Sequence, residues 1–367
     1  MADPAIAVNL LWCVPGDVGG SEEYMVRQLL GLAAAAPEIR PTLYVVDGFA
    51  EVHRALTDRF PTIVAPFDGA SRMRRIVGES TFFRSHGAAA DLRHHGGGTA
   101  PLGASRPYVL TIHDLQYRTY PEYFSRQKRM YLGAMIGRSV RRAAMVAVPS
   151  EYVRTSVIDS FGAVPDRVGV VPHGFEPALL TDISDETELR QRYALGDGPV
   201  IVYPAVTHHH KNHQFLIDLQ ASRWRDPDLR LVLIGGSGTA DAVVRAATDP
   251  RIRRLGRVPA ADRNGLLQMA AALVFPSRYE GFGAPLIEAM ALGCPVIASN
   301  STCIPAIVGE AGLVLPLVID AWADALDRVG HDRPRMIAAG LQRAAVFTAR
   351  ASGAALAGVY RTALESS

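Results

Sequence analysis

Residues 273–299 read LVFPSRYEGFGAPLIEAMALGCPVIAS, and the order of residue types in this stretch decides the fold. Leu273 to Pro276 is an apolar run closed by a proline, which reads as a buried strand. Ser277 to Gly283 is a polar, glycine-rich turn. Pro285 sits where a helix should begin, its fixed φ suited to that place and its missing N–H no loss there. The helix PLIEAMAL stops at Gly293, a natural residue just past a helix end, and PVIAS reads as the next strand. The unit is strand, helix, strand, with two carboxylates placed in it. Glu280 lies on the loop at the carboxyl end of the first strand and Glu288 about one turn into the helix. Ligands of open α/β sheets bind outside the carboxyl ends of strands, and a helix N-terminus offers free N–H groups and positive dipole to an anion such as a diphosphate. Carboxylates beside such an anion make poor phosphate ligands. They make good acceptors for hydroxyl groups, here a sugar's and a ribose's.

Working outward, 367 residues suggest two domains of ordinary size. With 49% apolar and 20% charged residues the chain is globular, and a net charge of +2 gives no reason to invoke nucleic acid. Three cysteines, Cys13, Cys294 and Cys303, are odd in number and show no metal-ligand spacing, as in a reducing cytosol. Met1 to Ile6 lack a basic leader region and contain Asp3, and no apolar run reaches the length of a membrane span, so a cytoplasmic protein is expected.

Other segments repeat the strand-then-polar-loop pattern. Ala5 to Cys13 reads as a first strand running into a loop with Gly16, Gly19 and Gly20 ahead of an amphipathic helix. That loop is either a phosphate approach or a plain helix start with Ser21 as N-cap and Glu22 and Glu23 in the first turn. It is not GxGxxG, so a dinucleotide fingerprint is absent. Residues 41–47 read as a second strand, and 68–107 as irregular. Arg72, Arg74 and Arg75 form either a solvated face or a basic patch for peripheral contact with an anionic membrane surface. His94 and His95, as neighbours, point to opposite faces of a strand and make a poor metal pair. PYVLTI (107–112) ends in His113 and Asp114, again at the carboxyl end of a strand. A linker falls between Phe175 and Asp185. The strand PVIVYPAV (199–206) precedes THHHKNH, where Lys211 is well placed to neutralise a diphosphate leaving group. Helices are expected over 321–329 and 335–347, and a terminal one over 353–364.

EGFGAPLIEAMALGCPVIAS, with FPS before it and Glu280 and Glu288 spaced as Glu-x7-Glu, resembles the signature of retaining glycosyltransferases of family 4. The resemblance implies the GT-B fold: two Rossmann-like, doubly wound α/β domains with parallel sheets facing a cleft. The boundaries would be 1–178 for an acceptor-side domain, 179–348 for the nucleotide-sugar domain, and 349–367 for a helix crossing back. It implies that His113 reaches the donor sugar and that Glu280 and the backbone of Gly281, Phe282, Gly283 and Ala284 hold it. Glu288 would bind the ribose, Gly19 and Gly20 face the diphosphate, Lys211 neutralises it, and Val258, in Gly256-Arg257-Val258, approaches the base through its backbone. A nucleotide-diphosphate sugar would be the donor and a glycan or lipid-linked molecule the acceptor, with no metal or other cofactor required: the helix start at Ala284, Lys211 and the Gly20 loop would supply the positive potential, so no DxD-type motif is needed, and none is suitably placed. HKNH and HHGGGT resemble segments of bacterial mannosyltransferases of polysaccharide and glycolipid assembly, a leaning toward GDP-mannose.

Two departures stand out. The family carries an Arg a few residues before Lys211, where this chain has Ala205 or Thr207, so one of the histidines or an Arg from elsewhere must supply a second positive charge. Ala306 stands where the family usually has Glu. These departures keep open a catalytically silent nucleotide-sugar binder, and a UDP-sugar-dependent transferase of the same fold remains the other alternative.

Overall fold

The computed structural model describes residues 4–366 apart from 17, 18, 68 and 70. Asp3, Asp68 and the Arg72 side chain, used in the reading above, lie outside that description. The chain forms two compact units, Met1–Gly174 with Thr348–Ser367, and Phe175–Phe347.

The first unit is built on seven parallel strands: β1 (Ile6–Asn9), β2 (Thr42–Val45), β3 (Thr62–Val64), β4 (Leu92–His95), β5 (Tyr108–Thr111), β6 (Met145–Val148) and β7 (Val168–Val170). Their order in the sheet is β3-β2-β1-β4-β5-β6-β7, with Val8 opposite Leu43 on one side and His94 on the other. The second has six parallel strands: β8 (Val200–Pro204), β9 (Arg230–Ile234), β10 (Ile252–Gly256), β11 (Ala272–Phe275), β12 (Val296–Ser299) and β13 (Leu313–Leu315), in the order β10-β9-β8-β11-β12-β13. Counted within its own unit, the second sheet runs 3-2-1-4-5-6, the doubly wound order, and the first runs the same way with a seventh strand added at its end. Strands such as ALVF and VIAS are buried throughout because helices cover both faces.

In place of the irregular stretch expected over 68–107, the structure has a helix, Arg72–Gly78, continued by a π turn, Glu79–Phe83, and β4 in the middle of the sheet. β4 reads LRHH, which carries no apolar run to announce a strand. Its polar groups are buried because distant partners satisfy them. His94 lies between the Tyr360 hydroxyl, 2.8 Å from Nδ1, and Thr111 Oγ1, 2.7 Å from Nε2. His95 Nδ1 is 3.4 Å from Asn9 Nδ2, and Arg93 donates to the carbonyls of Gly87 and Arg106. The first helix also starts earlier than expected: it spans Gly20–Ala35 with Gly19, not Ser21, as its N-cap. The two helices expected over 321–347 are instead a short turn, Ile319–Trp322, and one helix, Ala325–Ala344, with Pro334 inside. Proline removes one helical hydrogen bond. Buried Val329, Met336 and Ala344 hold the helix through it.

Burial pushes His94 and His95 down to about 3 and His113 to about 4, and holds His173 well below its ordinary value. An unfolded imidazole titrates near 6.5, so the unfolded state binds more protons and stability falls as pH drops from about 6.5 to 4. Glu79, pushed up to about 7 by burial, works in the opposite sense, but it is one group against four. Urea unfolding should therefore have a lower midpoint at pH 5 than at pH 7. An unchanged or higher midpoint at pH 5 would refute buried neutral imidazoles in this unit.

Candidate active site

In the second sheet the strand order reverses between β8 and β11, so the loops leaving their carboxyl ends flank the switch point where such sheets hold ligands. Both residues singled out there come together. Lys211 Nζ lies 2.6 Å from Glu280 Oε1, with side chains 19% and 10% exposed, and 5.9 Å over the Phe275 ring. The two loops are stitched by groups that the sequence did not mark. The Tyr203 hydroxyl is 2.7 Å from the Lys211 carbonyl and 3.0 Å from Ser277 Oγ. Asn212 donates to the Pro276 carbonyl, and the Arg278 N–H to that of His210. Thr302 takes φ 51°, costly for a β-branched residue. Its Oγ1 accepts from the Glu280 N–H at 3.1 Å, and the neighbouring Cys303 thiol lies 3.3 Å from the carbonyls of Glu280 and Phe282. Strain at Thr302 is thus tied to the placing of Glu280. The sequence reading touched this neighbourhood only at Ala306 and gave no role to Thr302 or Cys303.

Gly283 follows at φ 87°, and a Cβ there would come within 2.9 Å of Leu286 Cδ1, so the turn into the helix Ala284–Ala291 needs glycine. That helix has no side-chain cap at its start, which leaves its first N–H groups without a local side-chain acceptor. Its end is a Schellman closure: Gly293 N–H to the Met290 carbonyl and Cys294 N–H to that of Ala289. Phe282 is buried with its ring 5.6 Å from that of Phe347, so its side chain belongs to the core and only its backbone borders the turn. Gly281 and Ala284 are partly exposed, while Glu288 is buried on the helix.

The loop after β8 packs beside the glycine turn after β9. Gly235 has φ 139° and donates to the Gly256 carbonyl, and a Cβ on it would come within 2.5 Å of the Ala205 carbonyl oxygen. Val258, half-buried, follows β10 and precedes the helix Ala260–Met269. His210 is pushed down to about 3 and His208 is lowered, both by burial first and Lys211 second. Of the histidines offered above as a second cation, His208 and His210 are therefore neutral at pH 7 here. Arg343 donates to the carbonyls of Ala306 and Ile307, so the segment 304–308 is held through its backbone, and nothing in the structure explains Ala in place of Glu at 306.

In the first unit, Gly19 has φ 63° and Gly20 opens the helix Gly20–Ala35, with open space where either Cβ would stand. Glu22 holds this turn: one oxygen accepts from the Gly16 N–H at 2.9 Å and the other pairs with His53 Nε2 at 2.7 Å. His113 sits just past β5 between the rings of Trp12 and Tyr24, each 5.6 Å away. Its Nε2–H donates to the Gly96 carbonyl at 2.8 Å, which leaves Nδ1 as the accepting nitrogen of a neutral imidazole. Asp114 accepts from the Gln116 N–H and so closes the turn. Among the described residues no group of three or more His, Cys, Asp or Glu is placed to hold a metal ion, and no helix is long and apolar enough to cross a membrane.

Comparison with known proteins gives this arrangement a family. The model "Glycosyltransferase Family 4" matches residues 18–179 and "Glycosyl transferases group 1" matches 198–332. The Escherichia coli O-antigen chain mannosyltransferase B is 32% identical over 255 residues, 65% of this chain and 66% of that protein. A GDP-mannose-dependent alpha-(1-6)-phosphatidylinositol monomannoside mannosyltransferase of Mycobacterium tuberculosis is 28% identical over 88% of each chain. The first curated relatives are spanned for a little under two thirds of their length, 66% for the E. coli protein and 59% for a Corynebacterium glutamicum D-inositol 3-phosphate glycosyltransferase. The Anabaena protein HepE, solved in complex with UDP and glucose, superposes with a TM-score of 0.73 over 98% of this chain and 99% of its own at 19% identity, which shows the shared GT-B fold. With one family model on the first unit, another on the second and this fold beneath both, the chain belongs to the family 4, group 1 glycosyltransferases.

Proposed function

We propose that the protein transfers a hexosyl group, mannose from GDP-mannose, to a glycan or lipid-linked acceptor with retention of configuration and without a metal. The observation that carries this reading is the Lys211–Glu280 pair at the switch point of the second sheet, beside a helix start with no side-chain cap. In the step itself, the bond from the anomeric carbon to the diphosphate oxygen breaks. A bond from the acceptor hydroxyl forms on the same face, and the hydroxyl proton passes to the departing phosphate oxygen. Charge grows on the diphosphate, and the stabilisation that counts is positive potential already in place there. Lys211 and the N-terminal N–H groups of the helix Ala284–Ala291 supply it. Glu280 and the 281–284 backbone hold the sugar, Glu288 accepts from the ribose, and Val258 borders the base. Within the first unit, the open space at Gly19 and Gly20 suits a phosphate, and His113 Nδ1 suits a sugar hydroxyl as an acceptor. The relatives named for GDP-mannose and for O-antigen assembly support mannose and a cell-surface acceptor. Exposed Arg74 beside exposed Met73, Ile76 and Val77 suits peripheral contact with a membrane surface.

Thermal unfolding with GDP and with UDP, each with and without Mg²⁺, tests the donor. A ligand at a hundred times its Kd adds roughly 2.7 kcal/mol. The expected result is a shift with GDP that Mg²⁺ does not change. A shift with UDP alone would move the donor to a UDP-sugar, and a shift that needs Mg²⁺ would end the metal-free reading. Lys211 already paired to Glu280 and the missing upstream Arg favour the silent binder as the second reading. Release of free or transferred mannose from GDP-mannose separates it from the enzyme.

A further inference from the structure

The diphosphate of a nucleotide sugar carries two negative charges. Lys211 on the β8 loop stands 2.6 Å from Glu280, so as a pair they add no net charge. A second cation at the carboxyl ends of β8 and β9 comes from β10. Between the pairs Arg254–Leu233 and Gly256–Ile234 this strand holds one residue more than β9, a bulge that re-aims the chain beyond it. Gly256 then takes φ 68° with open space where its Cβ would stand, so the backbone angle alone calls for glycine. Its carbonyl accepts from the Gly235 N–H at 2.8 Å, which ties the end of β10 to the glycine turn after β9. Arg257 follows, exposed, and its guanidinium lies over that turn. A Cβ on Gly236 would stand 3.3 Å from Arg257 Nε and 3.8 Å from its Nη2. The Gly236 carbonyl in turn accepts from the Thr207 N–H at 3.2 Å, and Thr207 Oγ1 accepts from the Gly238 N–H at 2.7 Å. Lys211 lies four residues beyond Thr207 on the same loop.

We propose that Arg257 is the second cation of the diphosphate site, its guanidinium meeting the phosphates from the glycine turn while Lys211 faces them from the β8 loop. The inference rests on the donor reading given above. With glycine at 235, 236 and 238, no side chain rises from the turn at those places, so an oxyanion can approach backbone and guanidinium together. A guanidinium presents its N–H donors in a planar fork that matches the oxygens of a phosphate, which a point-like ammonium does not. The two cations thus divide the work. Lys211 stays fixed by Glu280 beside the sugar, and Arg257 supplies the charge that the pair lacks. Arg278, also exposed, is the rival. It stands on the loop after β11, on the side of β8 away from the glycine turn.

The test is calorimetric titration of the full chain with GDP and with UDP, which share the diphosphate and differ in the base. The weaker nucleotide is read by displacement of the stronger. Arg257→Gln should weaken both by the same factor, about 10- to 100-fold, the effect of losing a charge-assisted hydrogen bond, and leave their ratio as in the parent. Arg257→Lys should recover part of the loss, since it keeps the charge without the fork. Arg254→Gln removes an equal, exposed charge from β10 outside the turn, and should keep both affinities within about twofold because solvent and salt screen it. Arg257 is exposed, so the unfolding midpoint of Arg257→Gln without nucleotide should match the parent's. A loss for one nucleotide alone would make Arg257 a reader of the base. A loss confined to Arg278→Gln would move the second cation to the β11 loop, and unchanged affinities would give Arg257 no part in binding. Each of these overturns the inference and leaves the donor reading standing. A parent chain that binds neither GDP nor UDP removes the donor reading, and this inference with it.

Discussion

Lys211→Ala lowers turnover of the nucleotide sugar by about 10²- to 10³-fold, the cost of removing one preorganised group from a site of developing charge. The effect falls on kcat more than on KM, because the diphosphate gains charge as the glycosidic bond breaks and the cation matters most there. Lys211→Arg recovers little, since a planar guanidinium does not replace a compact ammonium held against one carboxylate oxygen and over Phe275. Lys211→Ala also strands Glu280, a carboxylate with 10% of its side chain exposed. Breaking one side of a buried pair costs about 3–5 kcal/mol, and less at partial exposure. Glu280→Gln in the same chain removes the stranded charge, so the double variant should be more stable than Lys211→Ala alone and no more active. A cycle of the four proteins, read by urea midpoint and by rate, checks both statements. Additive losses of stability would mean that the 2.6 Å pair contributes nothing to the fold. Activity retained in Lys211→Ala would take the diphosphate away from this loop.

The Lys211–Glu280 pair shows how far the linear sequence reaches. Each partner was legible because each stands where a strand hands over to a polar loop, and the switch-point rule gives that place chemical meaning. Their contact was not, because 69 positions separate them and only the adjacency of β8 and β11 brings them within bonding distance. Apolar runs such as LVF and VIA announced their strands. LRHH at 92–95 did not, since the partners that permit its burial are Tyr360, Thr111 and Asn9, and a local window sees none of them. The grip on Glu280 was hidden for a related reason: Thr302 and Cys303 act through a backbone conformation that composition does not encode. Where two helices were expected, over 321–329 and 335–347, one runs through Pro334, because packing along the rest of the helix overrules the usual meaning of proline as a helix end.

Gly31→Val should lower the unfolding midpoint more than other single substitutions away from the site. The terminal helix Ala349–Glu365 packs on the helix Gly20–Ala35 inside the first unit, and the two backbones touch at a pair of glycines. A Cβ on Gly31 would fall 1.7 Å from the Ala349 carbonyl oxygen, and one on Gly353 would fall 2.0 Å from the Gly31 carbonyl carbon. The obstacle is backbone in both cases, so no rotamer change relieves it and the helices must separate. Separation strips contacts from Leu356, Val359 and Tyr360, all buried in the core of this unit, and pulls Tyr360 from His94. Overpacking of this kind costs about 1–3 kcal/mol and sometimes more, and for a unit of this size each kcal/mol is worth about 2–4 °C. Gly353→Ala should follow in the same direction with a smaller drop. Gly358→Ala, on the same helix with open space where its Cβ would stand, should raise the midpoint through helix propensity instead. Opposite signs from two glycine-to-alanine changes five residues apart on one helix are the diagnostic result. Equal, small effects at both positions would mean that the helices do not meet at Gly31 and Gly353, and that the terminal helix is held by its apolar face alone.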